Sequence, residues 1–324
     1  NSFKISKYDM LFNNTLQLNN TPGNKQTFEG LVGAAKILFI KEAYQHKPQI
    51  ITILCPDNQS AQQCYQSIAF LLPDEPVHYF PDWETLPYDM LSPHQDIISE
   101  RLSLLQQLPH LTKGIIVTSV NTVMQRLAPT SFLAGFSFCL KIGGTLDLKN
   151  IREQLTEAGY RRIEQVMEHG EFCIRGALLD VFPMGANEPY RIELFDNEIE
   201  TIRSFDPETQ RSNQKLDTLE LLPAKEFPFT ENAIRLFRQQ WRETFHGNPA
   251  NCSVYQDISE GRAAAGVEYY LPLFFSKTGS FFDYLPENSL IFHTEETQEH
   301  CDNTWAMITR RHEQLAHDIT HPIL

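Results

Sequence analysis

Residues 170–205, GEFCIRGALLDVFPMGANEPYRIELFDNEIETIRSF, alternate apolar and polar side chains over successive short runs, and this constrains the fold more than any other feature of the chain. Period-two alternation describes a strand with one face buried. In residues 190–196 it puts Ile192 and Leu194 on one face and Arg191, Glu193 and Phe195 on the other. Residues 171–174 set Phe172 and Ile174 opposite Cys173 and Arg175. Gly176 then allows a bulge or a change of phase, and Leu179 and Val181 resume an apolar strand that Pro183 ends. Gly185, Asn187 and Pro189 suit the longer loop of a hairpin, and Asp196 with Asn197 marks a second turn into residues 199–205. The stretch reads as three short strands of an antiparallel sheet. Such a sheet can keep one face in water, and here that face carries Arg175, Arg191 and Phe195.

Two readings of the face are open. An aromatic beside arginines is the composition of a protein interface. Alternatively, the helix at 151–158 or a loop covers Phe195, and the arginines are solvated or paired with nearby glutamates. Charge bears on the choice of partner. The formal net charge is -14, and residues 151–211 hold seven arginines and no lysine against thirteen carboxylates. A surface this acidic is a poor one for phosphate backbone. Arginine's planar fork suits carboxylates of a protein partner better than a diffuse polyanion.

The flanks read differently. At 324 residues, two or three domains are expected. After a polar start with Asn13, Asn14, Asn19, Asn20 and Pro22, a helix is expected within residues 29–45, a buried strand at 50–55, and a helix capped by Asp57 or Asn58 with Ala61, Cys64, Ile68 and Leu72 near one face. Strand–helix–strand order predicts a parallel sheet. Further strands are expected at 77–80 and 114–119, and helices at 97–108 and 121–127. From residue 133 the pattern changes: a strand around 136–142, a short helix with Asp147 as cap and Gly159 as stop, and a closing strand at 215–222 make a small α+β unit. A helix at 231–245 presents Ile234, Phe237, Trp241 and Phe245 on one face, and another is expected near 304–315. The predicted architecture is an α/β domain in two segments, 1–137 and 223–324, interrupted by an α+β domain at 138–222. The six cysteines show no CxxC or CxxH spacing, so buried free thiols are expected and neither zinc nor a disulfide framework is signalled. No apolar run approaches a membrane span, and a cytoplasmic location is expected.

The segment from Gly30 through Gly33 to Lys36 invites comparison with a phosphate loop, GxxxxGK followed by Ser or Thr. Aligned on Lys36, Gly30 matches, but Ala35 replaces the second glycine and Ile37 replaces the hydroxyl that holds magnesium. The apolar strand at 290–292 ends in His293 and Thr294, where acids would be needed. ATP hydrolysis is not expected, because the metal and its ligands neutralise the charge of phosphoryl transfer. His94 with Asp96, and Asp82 with Glu84, can be drawn as acid/base pairs but lack a nucleophile or orienting partner; His169 reads as a turn residue.

Four motifs carry a resemblance: YFPDWETLPYDMLSPHQDIISERL at 79–102, TSVNTVMQRL at 118–127, AGYRRIEQVMEHGEFCIRGALLDVFPMG at 158–185, and LLPAKEFP followed by FRQQWRETF ending at 245. They resemble the amino-terminal part of the bacterial transcription-repair coupling factors, the Mfd family, itself similar to the excision-repair helicase UvrB. The resemblance implies a helicase-like, UvrB-like scaffold with a degenerate phosphate loop. In place of UvrB's DNA-clamping hairpin, a short Pro-rich loop stands at 80–96. It implies a middle domain that binds UvrA, with the contact positions carried over to Arg175, Arg191 and Phe195. It also implies that ATP, magnesium, RNA polymerase and DNA are matters for translocase and polymerase-binding parts beyond Leu324, and that this chain is a fragment needing no cofactor. The competing expectation is an active, ATP-dependent UvrB-like enzyme that binds damaged DNA.

Overall fold

The computed structural model describes residues 23–324, and the polar opening with Asn13 to Pro22 lies outside the described residues. In chain order the elements begin with α1 (Ala34–His46), β1 (Ile50–Cys55), α2 (Asn58–Leu71), β2 (Val77–Tyr79), α3 (Gln95–Gln107), β3 (Gly114–Ser119), α4 (Val120–Val123) and α5 (Thr130–Phe136). There follow β4 (Phe138–Lys141), α6 (Leu148–Glu157), β5 (Arg161–Arg162), β6 (Glu171–Arg175), β7 (Leu178–Val181), β8 (Tyr190–Phe195), β9 (Glu198–Phe205), β10 (Ser212–Leu216) and β11 (Thr218–Leu221). α7 (Glu231–Thr244), α8 (Ser253–Ser259), β12 (Leu290–His293) and α9 (Glu296–Leu315) complete the order. These elements fall into two compact units.

One unit comprises the described residues up to Asp82, with Gln107–Met124 and Tyr284–Thr304. Its sheet runs β12-β1-β3-β2, every pair parallel, with Ile51 beside both Leu290 and Ile115. β1 and β3 are apolar along almost their whole length because a parallel sheet is covered on both faces. Phe39, Ile40 and Tyr44 of α1 and Ala61, Cys64 and Ile68 of α2 pack with Ile51, Ile53, Ile115 and Val117 in one core. Each fully buried large apolar side chain contributes roughly 1.5–3 kcal/mol. The N-cap of α2 is Asp57, whose carboxylate accepts from the Ser60 amide at 2.7 Å. Asp57→Ala should therefore cost about 1 kcal/mol in a urea titration; no loss would mean the cap adds nothing. The helix expected at 121–127 is a single turn, because the Leu127 backbone is committed instead to a bridge with Gly279.

The other unit comprises Trp83–Gln106, Gln125–Asp283 and Trp305–Leu324. Its sheet has the order β10-β9-β8-β7-β6-β5, antiparallel except for the short β5–β6 pairing. The expected alternation holds, with Phe172, Leu179, Val181, Ile192, Leu194 and Ile202 all buried. Strand count differs. Gly176, at φ 59°, sits with Ala177 in the tight turn that pairs Arg175 with Leu178, so β6 and β7 are separate strands and not one bulged strand. The register shift lies between β8 and β9, where Glu193 pairs with Thr201 but Leu194 with Ile199. The closing strand expected at 215–222 also splits: β10 pairs with β9, and β11 pairs with β4 as a separate ribbon.

From residue 223 the chain was expected to resume the α/β layout. It first forms a helical and aromatic cluster, in which Phe237 and Trp241 of α7 pack with Cys252, Val254, Ile258, Val267, Leu271 and Phe274. Only β12 rejoins the parallel sheet. The Pro-rich stretch after Trp83 is tied down by long-range bonds: Tyr269 Oη donates to the Leu86 carbonyl (2.6 Å), Arg311 pairs with Asp89 (2.6 Å), and Ser92 Oγ donates to buried Glu268 (2.7 Å). All six cysteines are free. Cys55, Cys64, Cys173 and Cys252 are buried as expected, Cys301 is half-buried, and Cys139 is exposed on the two-stranded ribbon.

Candidate functional site

Antiparallel register decides which side chains meet on the polar face of the six-stranded sheet. Asp180 of β7 lies opposite Cys173 on β6 and Arg191 on β8, and Arg191 lies opposite Arg203 on β9. Two positions along, Arg175, Leu178, Glu193 and Thr201 form the next row. Asp180 is almost fully buried, at 2 % exposure. Its Oδ1 accepts from Arg191 Nε at 2.7 Å, and its Oδ2 accepts from Arg191 Nη2 at 2.8 Å and from Arg175 Nη2 at 2.6 Å. Three charge-assisted bonds to one buried carboxylate lock both guanidinium groups. Asp180 strengthens the protonation of Arg191 further. The Arg191 guanidinium also lies over the Phe205 ring, 4.8 Å from its centroid, and its remaining edge faces the Gln210 carbonyl at 3.5 Å.

The face is apolar and covered at one end, where Val166, Cys173, Phe182 and Phe205 cluster. It is open at the other. Phe195 closes β8 just before the two-residue turn, whose Asp196 takes φ 54°, and the residue is 71 % exposed. Neither α6 nor a loop covers it. The arginines pair with an aspartate, and not with the glutamates of the alternative reading. Their exposures differ sharply: the Arg175 side chain is 51 % exposed and that of Arg191 is 16 %. Arg175, Arg191 and Phe195 thus share one face, as alternation predicted, while Asp180 was overlooked. Its signal was present, since an acid between buried Leu179 and Val181 must face the arginine side of the sheet.

The phosphate-loop comparison ends differently. Among the described residues no named strand leads into Gly30. Gly33 is the N-cap of α1 at φ 55°, and the amides of Ala35 and Lys36 already donate to the Val32 and Gly33 carbonyls, both at 3.2 Å. Lys36 lies 3.7 Å from Glu296, and Ile37 packs against the sheet core. With Ile37 offering no oxygen, and His293 Nδ1 turned to the Thr294 carbonyl at 3.1 Å, these residues do not fit a magnesium nucleotide. No group of three or more His, Cys, Asp or Glu able to hold a metal occurs among the described residues.

Of the drawn acid/base pairs, His94 does lie 3.3 Å from Asp96. Asp96 also faces His169 Nδ1 at 2.7 Å, and His169 Nε2 donates to the Ala186 carbonyl at 2.8 Å. His169 therefore bridges α3 and the β7–β8 loop, a role that chain position alone did not disclose. Asp82 is buried and Glu84 exposed.

An antiparallel sheet showing an arginine–aspartate clamp and a bare aromatic on one face has the composition of a protein-docking surface. Residues 138–227 match the UvrB interaction domain family. Over 303 residues the chain is 43 % identical to the transcription-repair-coupling factor of Escherichia coli K12, covering 93 % of this chain and 26 % of that protein. It is 41 % identical over 306 residues to that of Haemophilus influenzae Rd (94 % and 26 %), and 26 % identical over 292 residues to that of Bacillus subtilis 168 (85 % and 25 %). The chain spans about a quarter of the length of these relatives. The family match thus covers the six-stranded sheet, and the similarity to transcription-repair-coupling factors extends over nearly the whole chain. No helix among the described residues is long and apolar enough to cross a membrane.

Proposed function

We propose that this chain is the UvrA-recruiting adaptor of a transcription-repair-coupling factor, linking RNA polymerase stalled at DNA lesions to nucleotide excision repair in the cytoplasm. UvrA docks on the face carrying Arg175, Arg191 and Phe195. The observation that carries this reading is Phe195, 71 % exposed on the same sheet face as two arginines held by Asp180. The module works by presentation, without chemistry of its own and without a nucleotide or metal. Contact with RNA polymerase and DNA, and ATP-driven translocation that releases the polymerase, belong to the rest of a full-length factor.

Titration with purified UvrA tests the proposal. The chain should bind, and Phe195→Ala should weaken binding by about 2 kcal/mol. Unchanged affinity in that variant would remove the site. The same preparation distinguishes the rival enzyme reading: neither it nor a Lys36→Ala variant should hydrolyse ATP, and turnover abolished by Lys36→Ala would restore the UvrB-like alternative.

A further inference from the structure

Asp180, Arg191, Arg175 and Phe195 are not equivalent, and their geometry divides the work between them. Arg191 has spent both Nε and Nη2 on Asp180, its Nη1 edge faces Gln210, one side of its plane is on Phe205, and its side chain is 16 % exposed. Arg175 has spent only Nη2; among the described residues its Nε and Nη1 carry no hydrogen bond, and its side chain is 51 % exposed. Phe195 is the most open of the four.

We propose that Asp180 and Arg191 are positioning residues of the docking face, and that only Arg175 and Phe195 of this group meet the partner. This rests on the UvrA-binding reading and refines it. The partner then presents a carboxylate to the open edge of Arg175, next to an apolar pocket that takes the Phe195 ring. Asp180 holds Arg175 in place from beneath, and Arg191 holds the Asp180 carboxylate in position through two bonds. Without Arg191, Asp180 would be an under-compensated buried charge and would draw Arg175 inward, away from the partner.

Equilibrium and kinetic binding of this chain to purified UvrA decides the matter. Arg191→Ala and Asp180→Asn should each weaken binding about tenfold, mainly through faster dissociation, and the Asp180→Asn, Arg191→Ala double variant should be no weaker than the worse single. Arg175→Ala should slow association and flatten the salt dependence of affinity, while Arg191→Ala should leave the salt slope as in the wild type. A double variant whose loss is the product of the singles, or a salt slope flattened equally by Arg191→Ala, would overturn the assignment by showing Arg191 at the partner. If Asp180→Asn does not fold by circular dichroism, the two salt slopes decide alone. Failure of the underlying reading looks different: Arg175→Ala and Phe195→Ala would then both bind as the wild type does.

Discussion

Replacing Arg101 with alanine should lower the unfolding free energy by about 3–5 kcal/mol. Arg101 is 0 % exposed and its partner Glu226 is 2 % exposed. Glu226 Oε1 accepts from Arg101 Nε at 2.9 Å, its Oε2 accepts from the Trp83 indole at 2.7 Å, and the guanidinium stands 5.3 Å from the centre of the Trp83 ring. Deleting the arginine leaves a buried carboxylate with only an indole donor. Chemical denaturation followed by circular dichroism measures the loss, and a cost below about 1 kcal/mol would refute the account. Adding Glu226→Gln to Arg101→Ala should recover part of it, since the stranded charge is then gone. That second step separates the cost of an unpaired charge from the worth of the pair, which a well-packed apolar substitute could match.

The second large effect concerns binding. Arg175→Ala combined with Phe195→Ala should weaken UvrA affinity on the order of a hundredfold or more, about 3 kcal/mol, because both proposed contacts are removed at once. Phe195 is exposed, but Arg175 also bonds buried Asp180, so stability should fall modestly, by about 1 kcal/mol, with Arg191 still pairing the carboxylate. A double variant that stays folded and still binds as tightly as the wild type would exclude this face. One that loses binding because it has unfolded would be recognised by its circular dichroism.

The contrast between Arg191 and Arg175 shows where reading the chain alone stops. Alternation placed both arginines and Phe195 on one face, and the register confirms it. It could not say that one arginine is half-sunk and the other open, because that depends on Asp180 and Phe205, which reach Arg191 from other strands. Gly176 is a related case. A glycine between two apolar runs permits either a bulge or a reversal, and the choice was made by the pairing of β6 with β7. The helix expected at 121–127 failed for the same kind of reason: local propensity favoured continuing it, and a bridge from Leu127 to Gly279 took its backbone.

What the sequence by itself determined was local and periodic: the extents of β1 and β3, the Asp147 cap, and the buried and open faces of the antiparallel strands. Side-chain direction along a strand or helix follows from the backbone repeat, so these are legible over a few residues. Only the tertiary structure decided the Asp180 clamp, the Arg101–Glu226 pair 125 residues apart, and the helical cluster that precedes the return to the parallel sheet. Those depend on which distant segments come into contact, and no local period encodes that.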